Sequence, residues 1–266
     1  MLTFHNVTKY YGERTCALRS VTLDVPRGEF CVVLGSSGAG KSTLLRTVNR
    51  LVSPTSGRVA VDGVEVGPRT LAQVRPRVAM IHQQFNLSPR LSVAKNVLAG
   101  ALPAVSTLAA LFHTFPSRFR KRACELISRV GLSEEHLRRR AQELSGGQQQ
   151  RVGIARAFML EPVVILADEP VASLDPTISR EVLGLLKEAS KERQTTVLCS
   201  LHQVDLTREF ADRVVGMRGG QVVFDGPTAQ LDDGMLRVIY DAKKPVSEPA
   251  EAPSPVRPGI LWPAHT

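Results

Sequence analysis

The sequence predicts an α/β fold in which short, buried strands alternate with helices. A strand-like run at Glu29–Leu34 leads into a glycine-rich loop and then into a helical pattern, and a second apolar run at Val163–Ala167 ends in two acidic residues. At 266 residues with 43% hydrophobic content, the chain is long enough for one large domain or a core domain that carries a smaller subdomain.

The first half of the chain shows strand patterns and one helix. After Ser42, the residues Leu44, Leu45, Val48 and Leu51 share one face of a predicted helix, which ends at Ser53-Pro54. A hairpin is predicted over Arg58–Val66, turning at Asp62-Gly63. The other predicted strands are Thr3–Thr8, Leu18–Val25, Glu29–Leu34 and Arg77–Ile81.

The second half begins with a change of pattern. Residues 85–160 are mainly helical in pattern and predict an inserted helical subdomain. From residue 245 the composition turns to Pro, Ala, Glu and Ser, so residues 1–244 are predicted to fold and 245–266 to form a disordered tail. Between them, the alternation resumes with Val163–Ala167, helix Ile178–Glu192, Thr195–Ser200, helix Val204–Phe210, Arg213–Met217 and Gln221–Phe224.

Charge and cysteine content restrict the classes of partner and compartment. The formal net charge is +9, which suits nucleotides, nucleic acids or anionic lipids, but much of the excess lies in the runs Arg118–Arg122 and Arg138–Arg140 and predicts no broad nucleic-acid face. No secretory leader or membrane span is predicted, since the longest apolar stretch, Val97–Phe112, is interrupted by Pro103. Scattered cysteines predict buried free thiols in a reducing cytoplasm: Cys16, Cys31, Cys124 and Cys199.

The glycine-rich loop predicts a phosphate site. Its glycines let successive backbone N–H groups curl around phosphate oxygens, and the following helix adds a favourable dipole. Lys41 can neutralise the β and γ phosphates, and the Ser42 hydroxyl can hold Mg²⁺. An ordinary glycine turn is the alternative. The predicted ATP-binding residues of this segment are Gly35, Ser36, Ser37, Gly38, Ala39, Gly40, Lys41, Ser42 and Thr43.

An acidic pair follows the strand Val163–Ala167. Asp168 is placed to bind Mg²⁺ through water, and Glu169 can polarise the attacking water as a general base. Such a pair is often only a solvated strand end. When the same chain also contains a phosphate loop, a catalytic role becomes the favoured interpretation of the pair. The two motifs together predict hydrolysis of a nucleoside triphosphate.

A third motif, Leu-Ser-Gly-Gly-Gln at residues 144–148, precedes the acidic strand. Ser145 and the glycine N–H groups can cap the following helix and form a second anion site, although a simple helix cap is the alternative. Together the three motifs resemble those of the ATP-binding-cassette (ABC) ATPases. Over Leu2–Lys244, the resemblance implies a P-loop NTPase fold with a RecA-like core, an antiparallel β subdomain and the inserted helical subdomain.

The resemblance implies roles for further single residues. Gln83 matches the glutamine that contacts Mg²⁺ and the attacking water, and His202 matches the histidine that contacts the γ-phosphate. Tyr11 matches the aromatic residue that stacks on adenine, with Tyr10 as the alternative. The implied cofactors are ATP and Mg²⁺.

The resemblance also implies an assembly. In this family, the signature of one subunit completes the phosphate site of another, so a homodimer with two ATP molecules is expected, with Asp175 in the loop that crosses to the partner. The signature residues acting across this interface are Ser145, Gly146, Gly147 and Gln148. Transmembrane permease subunits and a periplasmic binding protein complete the expected transporter, and the chain is placed peripherally on the cytoplasmic face of the inner membrane, with no nucleic acid as partner.

Within the family, several stretches resemble the ATP-binding subunit of bacterial phosphonate importers. Departures are His82, where an aromatic is common, and Pro103, where glycine is common. Importers of phosphate, phosphite, amino acids or metals remain alternatives, as does a non-transport ABC ATPase acting on nucleic acid or in phosphonate degradation. The stretches that carry the likeness are residues 83–87, 90–93, 96–98, 100–102, 168–176 and 201–205.

Overall fold

A computed structural model describes residues 1–12, 15–112 and 114–240 of the chain. The described residues form ten strands. They are β1 (Leu2–Tyr11), β2 (Thr15–Val25), β3 (Phe30–Leu34), β4 (Ser56–Val61), β5 (Val64–Glu65), β6 (Val78–Ile81), β7 (Val164–Asp168), β8 (Thr196–Ser200), β9 (Arg213–Arg218) and β10 (Gln221–Pro227).

Nine α-helices lie in the same part of the chain. They are α1 (Lys41–Val48), α2 (Leu71–Val74), α3 (Val93–Leu98), α4 (Thr107–Leu111), α5 (Ser117–Arg129), α6 (Gly146–Ala157), α7 (Pro176–Arg193), α8 (Val204–Phe210) and α9 (Asp233–Tyr240). Short 3-10 turns occupy Arg75–Arg77, Ala99–Ala104, Glu134–Arg138, Ala141–Glu143, Phe158–Leu160 and Thr228–Gln230.

Two sheets build the core of the molecule. The larger sheet has the order β10-β9-β3-β8-β7-β6, with β9, β3, β8, β7 and β6 parallel and β10 antiparallel at the edge. The smaller sheet is antiparallel, in the order β2-β1-β4-β5. The parallel strands place their carboxyl ends at one edge, where ligands bind in open α/β sheets.

Both faces of the large sheet are covered. All five residues of β3 are buried, and they alternate between two hydrophobic clusters. Phe30, Val32 and Leu34 pack with apolar residues of α3, α5, α6 and α7, whereas Cys31 and Val33 pack with α1 and the antiparallel sheet. This explains why the β3 sequence is continuously apolar instead of alternating.

The predicted fold class is confirmed, with corrections at particular positions. Helix α1 ends at Val48, so Leu51 lies beyond it and is 57% exposed, contrary to its predicted place on the buried face. The prediction of buried thiols holds for Cys31 and Cys199 and is wrong for Cys124, which is exposed; Cys16 is half-buried.

Two further segments differ from their predictions. Residues 85–92 form an irregular loop, so the first helix of the 85–160 segment begins only at Val93. Helix α9 was not predicted. The predicted tail, 245–266, lies outside the described residues. Across the described ranges, no helix has both the length and the apolar character needed to cross a membrane.

Candidate functional site

The glycine-rich loop joins β3 to α1 at the carboxyl edge of the large sheet. Gly40, immediately before α1, has φ of +102°, which disfavours a side chain. A Cβ atom at Gly40 would also lie 2.4 Å from the Ala17 carbonyl oxygen. At Gly35, a Cβ atom would lie 2.4 Å from the Met217 carbonyl oxygen. The tight path of the loop therefore requires glycine for both conformation and space.

Lys41 is buried within this loop. Its Nζ donates hydrogen bonds to the carbonyl oxygens of Gly35 at 2.8 Å and Ser36 at 3.2 Å. Burial lowers the pKa of Lys41, and the negative charges of Glu169 and Asp168 oppose that shift. The loop thus concentrates an ammonium group and backbone N–H donors at one point, which is a geometry suited to a phosphate chain.

Asp168 ends β7 as a buried carboxylate with three donors. Ser42 Oγ donates to Oδ1 at 2.7 Å, Ser200 Oγ donates to Oδ1 at 3.1 Å, and Arg46 Nη2 donates to Oδ2 at 3.2 Å. Ser200 lies opposite Asp168 in the β7–β8 register, which explains its contact. The hydroxyl and carboxylate predicted to hold the metal therefore meet directly.

The donor set fits Mg²⁺ in chemistry. Ser42 and Asp168 offer hard oxygen atoms, and Mg²⁺ is normally held by one or two such protein ligands, with waters and substrate phosphates filling the other positions. In residues 1–12, 15–112 and 114–240, no cluster of three His, Cys, Asp or Glu side chains could hold a metal by itself. The site therefore suits a metal that arrives with phosphate.

Glu169 follows Asp168 with a left-handed backbone, φ +49°. Its N–H donates to Ser200 Oγ at 3.0 Å, and its Oε1 lies 2.6 Å from His202 Nε2. Ser200 thus bonds to both acidic residues and fixes the turn between them. The predicted base and the predicted histidine are brought together as a pair beside the phosphate loop.

The predicted adenine site lies at the end of β1. A cavity of about 330 Å³ is lined by Tyr11, Ala17, the loop residues from Ser37 to Thr43, and Glu169. Tyr10 is not among the residues that line it. The two tyrosines are equally exposed, at 45% each, so the direction of the side chain distinguishes them and favours Tyr11.

Gln83 lies in the loop that follows β6. Strands β6 and β7 are parallel neighbours with Ile81 opposite Ala167, so Gln83 and Glu169 lie equally far beyond the two strand ends. The Gln83 side chain is exposed, and no hydrogen bond joins it to the other site residues in the described part of the chain. The structure therefore brings Gln83 to the same edge without placing it in contact.

The signature segment begins helix α6 as a capping box. Ser145 Oγ accepts from the Gln148 N–H at 3.3 Å, and Gln148 Oε1 accepts from the Ser145 N–H at 3.0 Å. Gln148 Nε2 also lies 3.2 Å from His136 Nε2. The N–H groups of Gly146 and Gly147 fall in the first turn of the helix, where backbone donors lack intrahelical partners.

The signature and the phosphate loop are separate within one chain. No hydrogen bond or ion pair of the described residues joins Ser145–Gln148 to Gly35–Ser42. Asp175 also stands apart from the loop, and its Oδ1 caps α7 by accepting from the N–H groups of Thr177 and Ile178, both at 3.0 Å.

Four residues that the motifs did not reveal support this arrangement. Ser200 and Arg46 hold Asp168, and His136 holds Gln148. Arg156 on α6 donates to the carbonyl oxygens of Asn86 at 2.6 Å and Phe85 at 3.1 Å, which ties the loop after Gln83 to the signature helix. The sequence could have indicated Arg46, because it lies one helical turn after Ser42. The roles of Ser200, His136 and Arg156 depend on contacts between segments that are distant in sequence.

Comparison with known proteins decides the family. A sequence profile described as ABC transporter matches residues 18–172, more than half of the chain. The chain belongs to the ABC transporter family. The family prediction and the nucleotide-binding fold are therefore confirmed, and this ABC protein is an ATP-binding ATPase, as the resemblance implied.

Relatives and solved structures agree with that assignment. The phosphonates import ATP-binding protein PhnC of Hydrogenovibrio crunogenus is 51% identical over 248 residues, covering 93% of this chain and 91% of that protein. That of Hyphomonas neptunium is 48% identical, covering 92% and 94%. Among solved structures, the bacterial ABC transporter cassette MJ0796 in dimeric form has a TM-score of 0.76 and 34% identity, covering 86% of this chain and 99% of that chain. A post-hydrolysis dimer of MJ0796 with ADP and Pi gives a TM-score of 0.76 and 33% identity, with the same coverage.

Proposed function

We propose that this chain is the ATP-hydrolysing subunit of an importer that takes up phosphonates. The observation that carries the ATPase part is the hydrogen-bonded path from Ser42 through Asp168 to Ser200, beside the Glu169–His202 pair. The names of the relatives, which are phosphonate import proteins, support the cargo. Their similarity extends over most of the chain and is not confined to the ATP motifs.

Nucleotide binding begins with the phosphate loop. The N–H groups of Gly35–Thr43 and the ammonium group of Lys41 bind the phosphate oxygens, because burial makes each of these interactions stronger than it would be in water. Tyr11 stacks on the adenine ring. The cavity that runs from Tyr11 to the loop supports this choice over Tyr10.

Ser42, Asp168 and Gln83 would hold Mg²⁺ between them. The metal, when bound, neutralises negative charge on the phosphate oxygens and favours departure of ADP. Arg46, through Oδ2, and Ser200, through Oδ1, keep the Asp168 carboxylate oriented, and Gln83 approaches from the neighbouring strand end.

Hydrolysis is assigned to the acidic pair and the histidine. Glu169 orients the attacking water and accepts its proton, because its carboxylate lies beside Lys41 in the same cavity. His202 binds the γ-phosphate and holds Glu169 through the 2.6 Å contact. The hydrogen bond from the Glu169 N–H to Ser200 fixes the backbone turn from which this carboxylate projects.

A second copy of the chain completes each site. The Ser145 hydroxyl and the N–H groups of Gly146, Gly147 and Gln148 bind the γ-phosphate held by the partner, and Asp175 lies at the crossing between subunits. The dimeric relative MJ0796 supports this arrangement. Residues 1–244 form the nucleotide-binding unit, with 85–160 as the helical subdomain that faces the permease subunits on the cytoplasmic side of the inner membrane. A periplasmic binding protein delivers cargo to that permease.

The variant Glu169→Gln tests the assignment of the base. It keeps side-chain volume and most hydrogen bonds, so we expect ATP affinity within about threefold of the parent chain, while turnover falls roughly a hundredfold or more. Phosphate release and binding of a fluorescent ATP analogue measure the two quantities. Glu134→Gln, on an exposed turn, is the matched control and should behave as the parent. Near-normal hydrolysis by Glu169→Gln would show that another group is the base.

The cargo is tested by growth. Deleting the gene should abolish growth on phosphonates as the sole phosphorus source and leave growth on phosphate unchanged. Complementation with the parent gene should restore growth, and complementation with the Glu169→Gln gene should not. Undiminished growth of the deletion strain on a range of phosphonates would refute the phosphonate assignment without touching the ATPase assignment.

A further inference from the structure

Helix α4 presents its large apolar side chains to the outside. Leu108, Leu111 and Phe112 are 68%, 70% and 71% exposed and share one face at the i, i+3 and i+4 spacing. The small residues Ala109 and Ala110 are half-buried and face the protein. This distribution reverses that of an ordinary surface helix, which buries its large apolar residues.

The next helix adds unpaired positive charge. Arg118, Arg120 and Lys121 lie in the first turns of α5 and are exposed, and within the described ranges no ion pair reaches any of the three. The first turn of α5 contains no acidic residue. Because a helix N-terminus carries partial positive charge, three cations there repel the helix dipole. An anionic partner would relieve that repulsion.

The sequence around these two helices includes a long stretch without acidic residues. Residues 66–124 contain no Asp or Glu and nine Lys or Arg, which equals the net charge of +9 of the whole chain. Four of these cations are Arg118, Arg120, Lys121 and Arg122, within ten residues of Phe112. The exposed apolar face therefore adjoins a strongly basic segment along the chain.

We propose that α4 and the start of α5 form a docking surface for an anionic membrane, with Leu108, Leu111 and Phe112 entering the headgroup boundary and Arg118, Arg120 and Lys121 binding lipid phosphates. Membrane-binding segments that lie in the bilayer interface typically combine Leu and Phe on one side with adjacent Lys and Arg. The surface lies within residues 85–160, the subdomain that we assign to the permease side, and binding to vesicles that contain no permease distinguishes the bilayer from the permease as its occupant.

Two other occupants fit the same residues less well. Single-stranded RNA binds through aromatic stacking platforms, whereas two of the three exposed apolar residues are leucines. A second copy of this chain would need a much larger contact, because stable interfaces bury about 800 Å² per partner and α4 has five residues. A bilayer accepts a small, protruding apolar element.

Vesicle flotation of the full chain tests the proposal. The parent chain should float with vesicles of phosphatidylcholine and phosphatidylglycerol and should not float with phosphatidylcholine alone. Leu108→Ser combined with Leu111→Ser and Phe112→Ser should reduce binding at least about tenfold. Arg120→Gln combined with Lys121→Gln should reduce it about thirtyfold, from the typical contribution of each cation near an anionic surface. High salt should weaken vesicle binding by the parent chain and by the serine variant to the same degree, because both keep the cations.

Matched controls keep the result interpretable. Leu51→Ser removes an exposed leucine elsewhere, and Arg138→Gln with Arg139→Gln removes two exposed cations elsewhere; both should float as the parent does. Helical circular dichroism and ATP turnover should be unchanged in all variants, since none of these residues belongs to the ATP site.

Three outcomes would overturn the proposal. The first is a parent chain that fails to float with anionic vesicles. The second is floating that survives in both the serine and the glutamine variants. The third is evidence that something else occupies the surface. A second copy of the chain is indicated if the serine variant changes the oligomeric state but not flotation, and RNA is indicated if the glutamine variant loses RNA binding but not flotation.

Discussion

The phosphate-loop cluster and the signature segment differ in how each is held. Asp168, the last residue of β7, is buried and receives hydrogen bonds from α1 and from β8, so three segments of the chain meet at its carboxylate. Ser145 and Gln148 are held by each other and by one contact to His136. One half of the proposed site is therefore organised by the whole sheet, and the other half by a single helix end.

Because the two halves are held differently, we expect the same kind of substitution to have different effects in each. Removing a hydroxyl from the sheet-held half should disturb both stability and turnover, because the lost bond leaves buried partners unsatisfied. Removing a hydroxyl from the helix-end half should weaken one helix start and spare the rest of the chain. Substitutions at three residues compare the two halves directly.

The largest effect is expected for Ser200→Ala. This change leaves the Glu169 N–H without its acceptor and removes a donor from Asp168, so we expect a loss of about 1–3 kcal/mol of unfolding free energy. Turnover should fall roughly tenfold or more because the backbone turn that carries Glu169 loses its anchor. Urea unfolding and phosphate release measure both. An unchanged free energy of unfolding would show that the contacts joining the three segments at Asp168 do not stabilise the fold.

A smaller effect on stability is expected for Ser145→Ala. Loss of an N-cap costs typically about 1 kcal/mol. The affinity of a single chain for ATP should stay within about twofold, whereas ATP-induced dimerisation of a chain that also carries Glu169→Gln should be lost. Size-exclusion chromatography with light scattering separates the two results. The Ser128→Ala variant, exposed on α5, controls for loss of a hydroxyl. Weakened ATP binding by the monomer would contradict the separation of the two halves.

The smallest effect is expected for His136→Ala. Gln148 Oε1 already accepts from Ser145, so the Gln148 amide donates to His136 Nε2. The substitution removes one half-buried acceptor, worth about 0.5–1 kcal/mol. We expect little change in urea midpoint and a few-fold loss in ATP-induced dimerisation. His136→Gln, which can supply an acceptor, should recover most of it. A loss as large as that of Ser145→Ala would show that His136 is required for the signature conformation.

The sequence predicted what lies in contiguous motifs. Gly35–Ser42 and Asp168–Glu169 were found because each carries its chemistry within a few residues, and the structure brings them together. Ser200 and Arg156 were not found, since their importance depends on strand register and on packing between segments about 30 and 70 residues apart.

The errors in the fold have local physical causes. The predicted end of α1 was wrong because Leu51 continued the apolar spacing after the chain had left the helix at Val48. Helix α9 was missed although Met235, Leu236, Ile239 and Tyr240 carry a helical apolar spacing. Its short length, eight residues, gave that pattern little weight beside the strands before it.

The left-handed backbone of Glu169 has a further consequence. A non-glycine residue at φ +49° sits in a conformation that costs roughly 1 kcal/mol, and glycine would relieve that cost. The residue that we assign to proton transfer is thus one of eight non-glycine residues in the described part of the chain that hold a left-handed backbone. A chain with glycine at this bend should therefore be at least as stable as the parent and unable to turn over ATP, so the most stable form of this turn and the active form of it are different sequences.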